Sequence, residues 1–291
     1  MVLLKNAFDI ARGTFHVIRR NWVFKAIGLS ILGTLAACSP NLPTFPALNK
    51  IESPATFDHS RFSSVLQRFV NQKGFVNYAG LKANQGDLNL YLSDLAKTDP
   101  NQMNESEQIA FWCNVYNAYT LKLISDNYPV RSILRITPLF VPKLNTPFVL
   151  KFVVVGGKTY TLNDVEHEIL RKRYAEPRIH AAINCASVSC PPLRREAFVG
   201  NRLNEQLEDQ MRIFVNDKTK NIIPASDTTI KLSKIFNWFK GDFEKKSGSL
   251  QKFLAQYVEG NAKQKLLQDG YEVSFLNYNW GLNKWNDSSV E

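Results

Sequence analysis

The stretch 105-ESEQIAFWCNVYNAYTLKLISDN-127 constrains the fold more than any other part of the chain. Its apolar residues recur at spacings of three and four, the period of one face of an α-helix. Ala110, Asn114, Asn117, Leu121 and Ile124 fall on a single stripe, with Ser106 as the expected N-cap. Two carboxamides, Asn114 and Asn117, are therefore embedded in an apolar face, and a buried amide must find hydrogen-bond partners. They either bond the backbone of a neighbouring loop or aim a substrate or a catalytic ring; the sequence alone leans to the first.

Other elements follow from the same periodicities. Phe62, Val65, Leu66, Phe69 and Val70 mark a helix that stops before Gly74, residues 75–81 read as a short strand or turn, and 88–95 as a second helix. Residues 148–162 form an expected β-hairpin around Gly156-Gly157. A helix over 163–174 takes Asn163 as its cap, and Glu166 stands three residues later at capping-box spacing. That gives Glu166 a structural role and leaves His167 outside both box and stripe, by default a solvated histidine near Arg171. After Pro177, residues 179–185 read as a strand with His180, Ala182 and Asn184 on one face and Ile179, Ala181, Ile183 and Cys185 on the other. Helices over 203–214, 234–243 and 250–258, extended structure over 221–233 and a last strand over 271–283 complete the chain, without internal repeats. The expected fold is a single α+β domain, helices packed on a small, mostly antiparallel sheet.

The compartment is set by 26-AIGLSILGTLAAC-38, an apolar run preceded by Arg19, Arg20 and Lys25. It is too short to span a bilayer comfortably but fits the apolar region of a secretory signal. Its end, Leu35-Ala36-Ala37-Cys38, reads as a bacterial lipobox with Cys38 as the acylated residue; an uncleaved anchor helix is the other reading. The expected division is a signal peptide with an extended N-terminus over 1–37, a proline-rich lipid-attached spacer over 38–60, the folded domain over 61–285 and a tail over 286–291. Ser39 after Cys38 points to the outer membrane, with the protein facing the periplasm or the surface and held to the lipid bilayer through Cys38. Loss of residues 1–37 removes five Lys or Arg and one Asp, so the net charge of +10 falls to +6. That charge suits an anionic envelope surface, and export argues against a nucleic-acid partner.

Three cysteines remain after Cys38: Cys113, Cys185 and Cys190. An odd count in an oxidising compartment permits one disulfide and leaves one free thiol. His180-x4-Cys185-x4-Cys190 lacks the ligand spacing of structural zinc sites, so neither metal nor cofactor is expected. A Cys185–Cys190 disulfide would close a small loop. Nucleophilic catalysis is the third possibility: Cys185, Cys190 or Ser189 would attack, His180 or His167 would be the base, and Glu166, Asn114, Asn117 or Asn184 would orient. Strand alternation puts His180 and Cys185 on opposite faces, so a partnership needs a bend at Cys185 or His167 from across the fold.

The runs 111-FWCNVYNAYTL-121, 164-DVEHEILR-171, 178-RIHAAINCASVSCPPLR-194 and 276-LNYNWGLN-283 resemble the signature blocks of the bacterial and plant family called domain of unknown function 547. Residues 62–81 and 231–243 resemble its flanking blocks, so the resemblance runs over about 60–285. Phe111, Trp112, Asn114, Tyr116 and Asn117 match the family pattern, as do Glu166, His167, Arg171, His180, Asn184, Cys185, Ser189, Cys190 and Pro191. Cys113 departs from it, as does Ala181-Ala182, which makes Cys113 a poor candidate for a family-wide role. Plant members often lack the second cysteine, which weakens Cys190 as a nucleophile and an essential disulfide. The family's activity is not established; some eukaryotic members carry a glutaredoxin-like domain. A central helix followed by a histidine-bearing sheet is also the layout of papain- and transglutaminase-like folds. The expected function is a thiol-dependent hydrolase or acyltransferase-like enzyme acting on a small molecule or peptide. Cys185 would be its nucleophile, with Ser189 second, and loop amides after Cys185 would stabilise an oxyanion. The alternative is a non-catalytic binding or scaffolding module of the envelope.

Overall fold

The computed structural model describes Asn41, residues 51–136 and residues 146–285, which belong to one compact unit. The signal, Cys38 and the tail over 286–291 lie outside the described residues. Among those described, no helix is long and apolar enough to cross a membrane.

The axis of the domain is the helix Glu105–Asn127 (α4), as its periodicity requires. Its cap is Asn104 rather than Ser106: Asn104 has extended backbone, and its side chain accepts the Glu107 N–H. Preceding it are Ser60–Phe69 (α1), Tyr78–Ala83 (α2) and Gly86–Lys97 (α3). α1 and α3 bury Phe62 and Tyr91 face to face, ring centroids 4.9 Å apart, and both helices join α4 in the larger of two cores. α2 occupies part of the stretch expected as strand or turn, because the Asn77 side chain accepts the Gly80 N–H and starts a helix. Residues 51–59, expected in the spacer, belong to the folded body: Glu52 pairs with Thr98, and His59 is buried against Tyr91.

The hairpin forms with Val153–Val155 (β1) antiparallel to Lys158–Tyr160 (β2). Gly156 and Gly157 turn it at φ 54 and 71, left-handed at both positions, as a two-residue hairpin turn requires. Next come Asp164–Leu170 (α5), continued by Arg171–Arg173, then Ile179–Ala182 (α6) and Leu203–Asn216 (α7). Thr229–Leu232 (β3) pairs in parallel with Glu272–Phe275 (β4). A parallel pair needs a long crossover, here Lys234–Trp238 (α8), Lys240–Ser247 (α9), Leu250–Leu254 (α10) and Gly260–Leu267 (α11). The strands thus make one antiparallel and one parallel pair instead of a single mostly antiparallel sheet; the α+β class holds. The helix expected over 234–243 breaks at Phe239, and α11 falls where no helix was expected. Phe214, Phe236, Phe243 and Phe253 fill the second core. Beyond β4, residues 276–284 run back across the domain and touch Ser187 and Val76.

Candidate functional site

The segment expected as a strand over 179–185 is instead the single helical turn α6, followed by an irregular loop. Pro177 and Arg178 supply the carbonyls that accept the His180 and Ala181 N–H groups, and two alanines carry no side-chain cost against the turn. The period-two alternation inferred for His180 and Cys185 therefore does not apply. His180 lies on this turn and not on a sheet, which removes the feature behind the papain-like analogy.

Both buried asparagines of α4 clamp backbone. Asn117 donates from Nδ2 to Ala182 O (2.9 Å) and accepts the Asn184 N–H at Oδ1 (2.8 Å), which fixes the exit of α6. Asn114 does the same for Phe198, at 2.7 and 3.0 Å. Neither touches a thiol or an imidazole; the structural role is the one observed. Asn184 shapes the loop that follows, donating to Pro191 O (2.7 Å) and accepting the Ala186 N–H (2.8 Å). Ala186 sits at φ 61, a left-handed conformation costly for a residue with a Cβ. These bonds hold it there, and the sharp turn brings residue 185 back against residue 190.

The result is a thiol centre. Cys185 and Cys190 are free cysteines with Sγ atoms 2.8 Å apart. Cys190 Sγ also accepts the Cys185 backbone N–H (3.1 Å) and the Ser187 hydroxyl (3.2 Å), and Tyr278 OH lies 3.2 Å away. Tyr278 OH is 3.3 Å from Cys185 Sγ and 2.8 Å from Ser187 Oγ. Burial alone would raise the Cys190 thiol, but hydrogen bonds from Cys185, Ser187 and Tyr278 together outweigh it and bring it below its ordinary value. The contact with Cys190, with burial second, pushes Cys185 up. Cys190 is 3 % exposed, whereas Cys185 is partly open to solvent. The surroundings thus favour the thiolate on Cys190, and Cys185 is the less buried residue of the two. Cys113 is buried in the α4 core, which raises its pKa far above an ordinary thiol's.

Ser189 is not placed as a nucleophile. Its Oγ accepts the Asn279 N–H (2.9 Å) and its own N–H donates to Asn279 O (3.3 Å), clipping the loop to the returning C-terminal segment. The expected oxyanion hole is also largely spent: the N–H groups of residues 185, 186, 188, 189 and 190 all have protein acceptors. Ser187 has the remaining N–H of that loop.

The histidines form a second cluster. His180, 2 % exposed, bonds Asp242 through Nε2 (2.8 Å) and stacks on Phe239 with centroids 3.9 Å apart. Arg171 grips the same carboxylate with two bonds of 2.7 and 3.0 Å, and its NH1 lies 3.2 Å from His167 Nδ1. Partial burial would raise Asp242, yet the bonds from His180 and Arg171 hold it well below the usual carboxylate range. Burial lowers His180, against the opposing pull of Asp242, and burial followed by the nearby Arg171 charge lowers His167 to about 4. Among the described residues, neither imidazole bonds either sulfur.

Glu166 stands between the two clusters. The capping box expected for it belongs to Thr161 and Asp164, whose N–H groups are bonded reciprocally by the Asp164 carboxylate (2.8 Å) and the Thr161 hydroxyl (2.9 Å). α5 then winds with wide π-type turns, a geometry that recurs at functional sites. Glu166 Oε2 faces the buried Tyr116 hydroxyl at 3.5 Å. Burial pushes Glu166 up to about 7; Arg171 opposes that and Cys190 reinforces it. The Tyr116 phenol in turn feels Glu166, Cys185 and Cys190 after burial itself.

A cavity of about 200 Å3, lined by Arg171, Tyr174, Asp242, Lys245 and Lys246, opens beside the histidine cluster. A larger open cleft of about 850 Å3, lined by Phe75, Arg195, Gln210 and Ile213 among others, contains none of these site groups. No group of three His, Cys, Asp or Glu side chains among the described residues is arranged to hold a metal ion. Ser187, Asp242 and Tyr278 escape a sequence reading because their partners lie 3, 62 and 88 or more residues away in ways no local pattern encodes. The resemblance had marked the blocks that contain Asp242 and Tyr278, but not these residues.

Residues 100–215 match the model of a family described as protein of unknown function, DUF547. The match holds both clamping asparagines, Glu166, both histidines and both thiols, and leaves Asp242 and Tyr278 outside. No curated protein and no solved structure matches the chain.

Proposed function

Through residues 100–215 the chain belongs to the family of proteins of unknown function DUF547, and on that premise we propose that it is a thiol-dependent hydrolase or acyltransferase tethered to the cell envelope by an acylated Cys38. One observation carries the reading: the thiol of the half-buried Cys185 lies 2.8 Å from a buried sulfur that collects three further polar contacts. A nucleophile beside its base is the minimum that acyl transfer needs. Cys185 attacks the carbonyl carbon of an ester, thioester or amide while its proton passes to Cys190. The tetrahedral intermediate expels the leaving group with a proton, and Glu166 is the donor we assign, since its pKa of about 7 lets it both give and regain a proton at neutral pH. Water or a second nucleophile then releases the acyl group from Cys185. His167, His180, Arg171 and Asp242 buttress α5 and α6 in this scheme and do not serve as the base.

A non-catalytic envelope module is the second reading, favoured by the use of Asn114, Asn117 and Asn184 as backbone clamps. Reduced protein mixed with p-nitrophenyl acetate separates the two. The enzyme reading expects a burst of p-nitrophenolate and an acetyl adduct mapped to Cys185, abolished by Cys185→Ala and slowed by Cys190→Ala. Absence of both burst and adduct leaves the binding module. The tether is tested separately: the protein should partition with membranes in the wild type and be released by Cys38→Ala.

A further inference from the structure

We propose that Cys185 and Cys190 are also a reversible dithiol–disulfide couple that exchanges with small disulfides, whether or not the centre transfers acyl groups. The sulfurs already lie 2.8 Å apart as free thiols, and a disulfide holds its sulfurs at about 2.05 Å, so closing the bond asks little of the side chains. Apart from the Cys185 N–H that Cys190 Sγ accepts, the backbone that carries them is held by bonds that involve neither sulfur. Asn184 spans the loop to Pro191, Ser189 is clipped to Asn279, and the Val188 N–H donates to Gly281 O at 2.8 Å. These bonds do not depend on the disulfide and would hold the loop in either state, the condition for a couple that cycles rather than a bond formed once during folding.

Exposure sets the order of events. Cys185, the less buried residue, attacks one sulfur of R–S–S–R while its proton passes to Cys190, and R–S⁻ departs. Cys190, now protonated, attacks Cys185 at the mixed disulfide and gives its proton to the second leaving thiolate. The pair enters with one proton and one negative charge and ends as a disulfide; R–S–S–R leaves as R–SH and R–S⁻, so atoms, charge and two electrons balance. In the oxidised form neither sulfur can attack or accept a proton, so an acyl transferase at this centre would be off.

Tyr278 supplies a readout independent of activity. Its hydroxyl touches both sulfurs, and its ring lies 4.7 Å from that of Trp238 and 4.6 Å from that of Trp280. The full chain is equilibrated in reduced and oxidised glutathione at ratios spanning several decades, then alkylated and mapped by peptide so that Cys38 and Cys113 are scored apart. The expected result is that Cys185 and Cys190 lose reactivity together in a single two-electron transition, reversed by adding reduced glutathione. Tryptophan emission should follow the same curve while far-ultraviolet circular dichroism stays constant. Cys190→Ser should trap glutathione on Cys185. The proposal is overturned if the pair stays reduced at every ratio, if it can be reduced only after unfolding, or if glutathione accumulates on Cys190 of the wild type. Should the serine variant fail to fold, the wild-type titration decides alone.

Discussion

Replacing Asn117 with alanine isolates the clamp that the fold places between α4 and the thiol loop. The side chain is 3 % exposed and makes two bonds, to Ala182 O and from Asn184 N–H. Alanine leaves that carbonyl and that amide buried and without the carboxamide that pairs them. An unsatisfied buried backbone group costs about 1–3 kcal/mol, so the pair costs about 2–6 kcal/mol. For a domain of this size that corresponds to a fall in Tm of roughly 5–20 °C. The measurement is thermal unfolding by circular dichroism, with urea unfolding at a temperature where the variant is still folded. Asn114→Ala is the control: it loses the equivalent two bonds at Phe198 and should lose comparable stability. The two variants part in a second assay. Asn117→Ala loosens the residues next to Cys185 and should change its alkylation rate in the folded protein, whereas Asn114→Ala should not. If Asn117→Ala melts within about 0.5 kcal/mol of the wild type, below any cost expected for orphaned backbone groups, the clamp argument is wrong.

Other consequences can be checked on the same footing. Glu166 is raised in the folded state to about 7 from an ordinary 4.5, so it contributes stability fully present below pH 4.5 and lost as pH rises through 7; Glu166→Gln should flatten the decline of urea stability between pH 4.5 and 7.5. His59 is lowered to about 4 by burial, so it favours unfolding as pH falls from 6.5 towards 4, by an amount on the order of 3 kcal/mol; His59→Phe should remove that part of the acid slope. Tyr278→Phe deletes a hydroxyl that contacts both sulfurs, which should move the pH midpoint of thiol alkylation up by about one unit or more without loss of the fold. Cys113, fully buried, should react with iodoacetamide only after denaturation.

Legibility of the chain follows the range of the interactions. The α4 helix, the Gly156-Gly157 hairpin and the apolar stripes of α1, α3 and α7 are written in local spacing, and the structure has all of them. Failures came where tertiary bonds override a local pattern. Residues 179–182 alternate like a strand but coil into one turn because Pro177 and Arg178 offer carbonyls and Asn117 captures the exit. Glu166 stands at capping-box spacing, yet the box closes between Thr161 and Asp164, leaving Glu166 to turn inward. The same limit applies at the site. That Cys185 and Cys190 could meet was readable from their separation, whereas the identity of their partners was not. His180 turns to Asp242 on α9, and Tyr278 arrives from the far end of the chain. The expectation of a cysteine–histidine pair was a reasonable use of the inventory and is not the arrangement found.

In the proposed mechanism the base for Cys185 is Cys190 and not an imidazole. The most direct measurement is the rate of iodoacetamide reaction at Cys185, mapped by peptide, across pH 5–9 in reduced wild type, Cys190→Ser, His167→Gln and His180→Gln, with circular dichroism confirming the fold of each. Cys190→Ser alone should shift the profile, while folded histidine variants retain it. A profile unchanged in Cys190→Ser but displaced in a folded histidine variant would contradict that mechanism and restore the cysteine–histidine dyad.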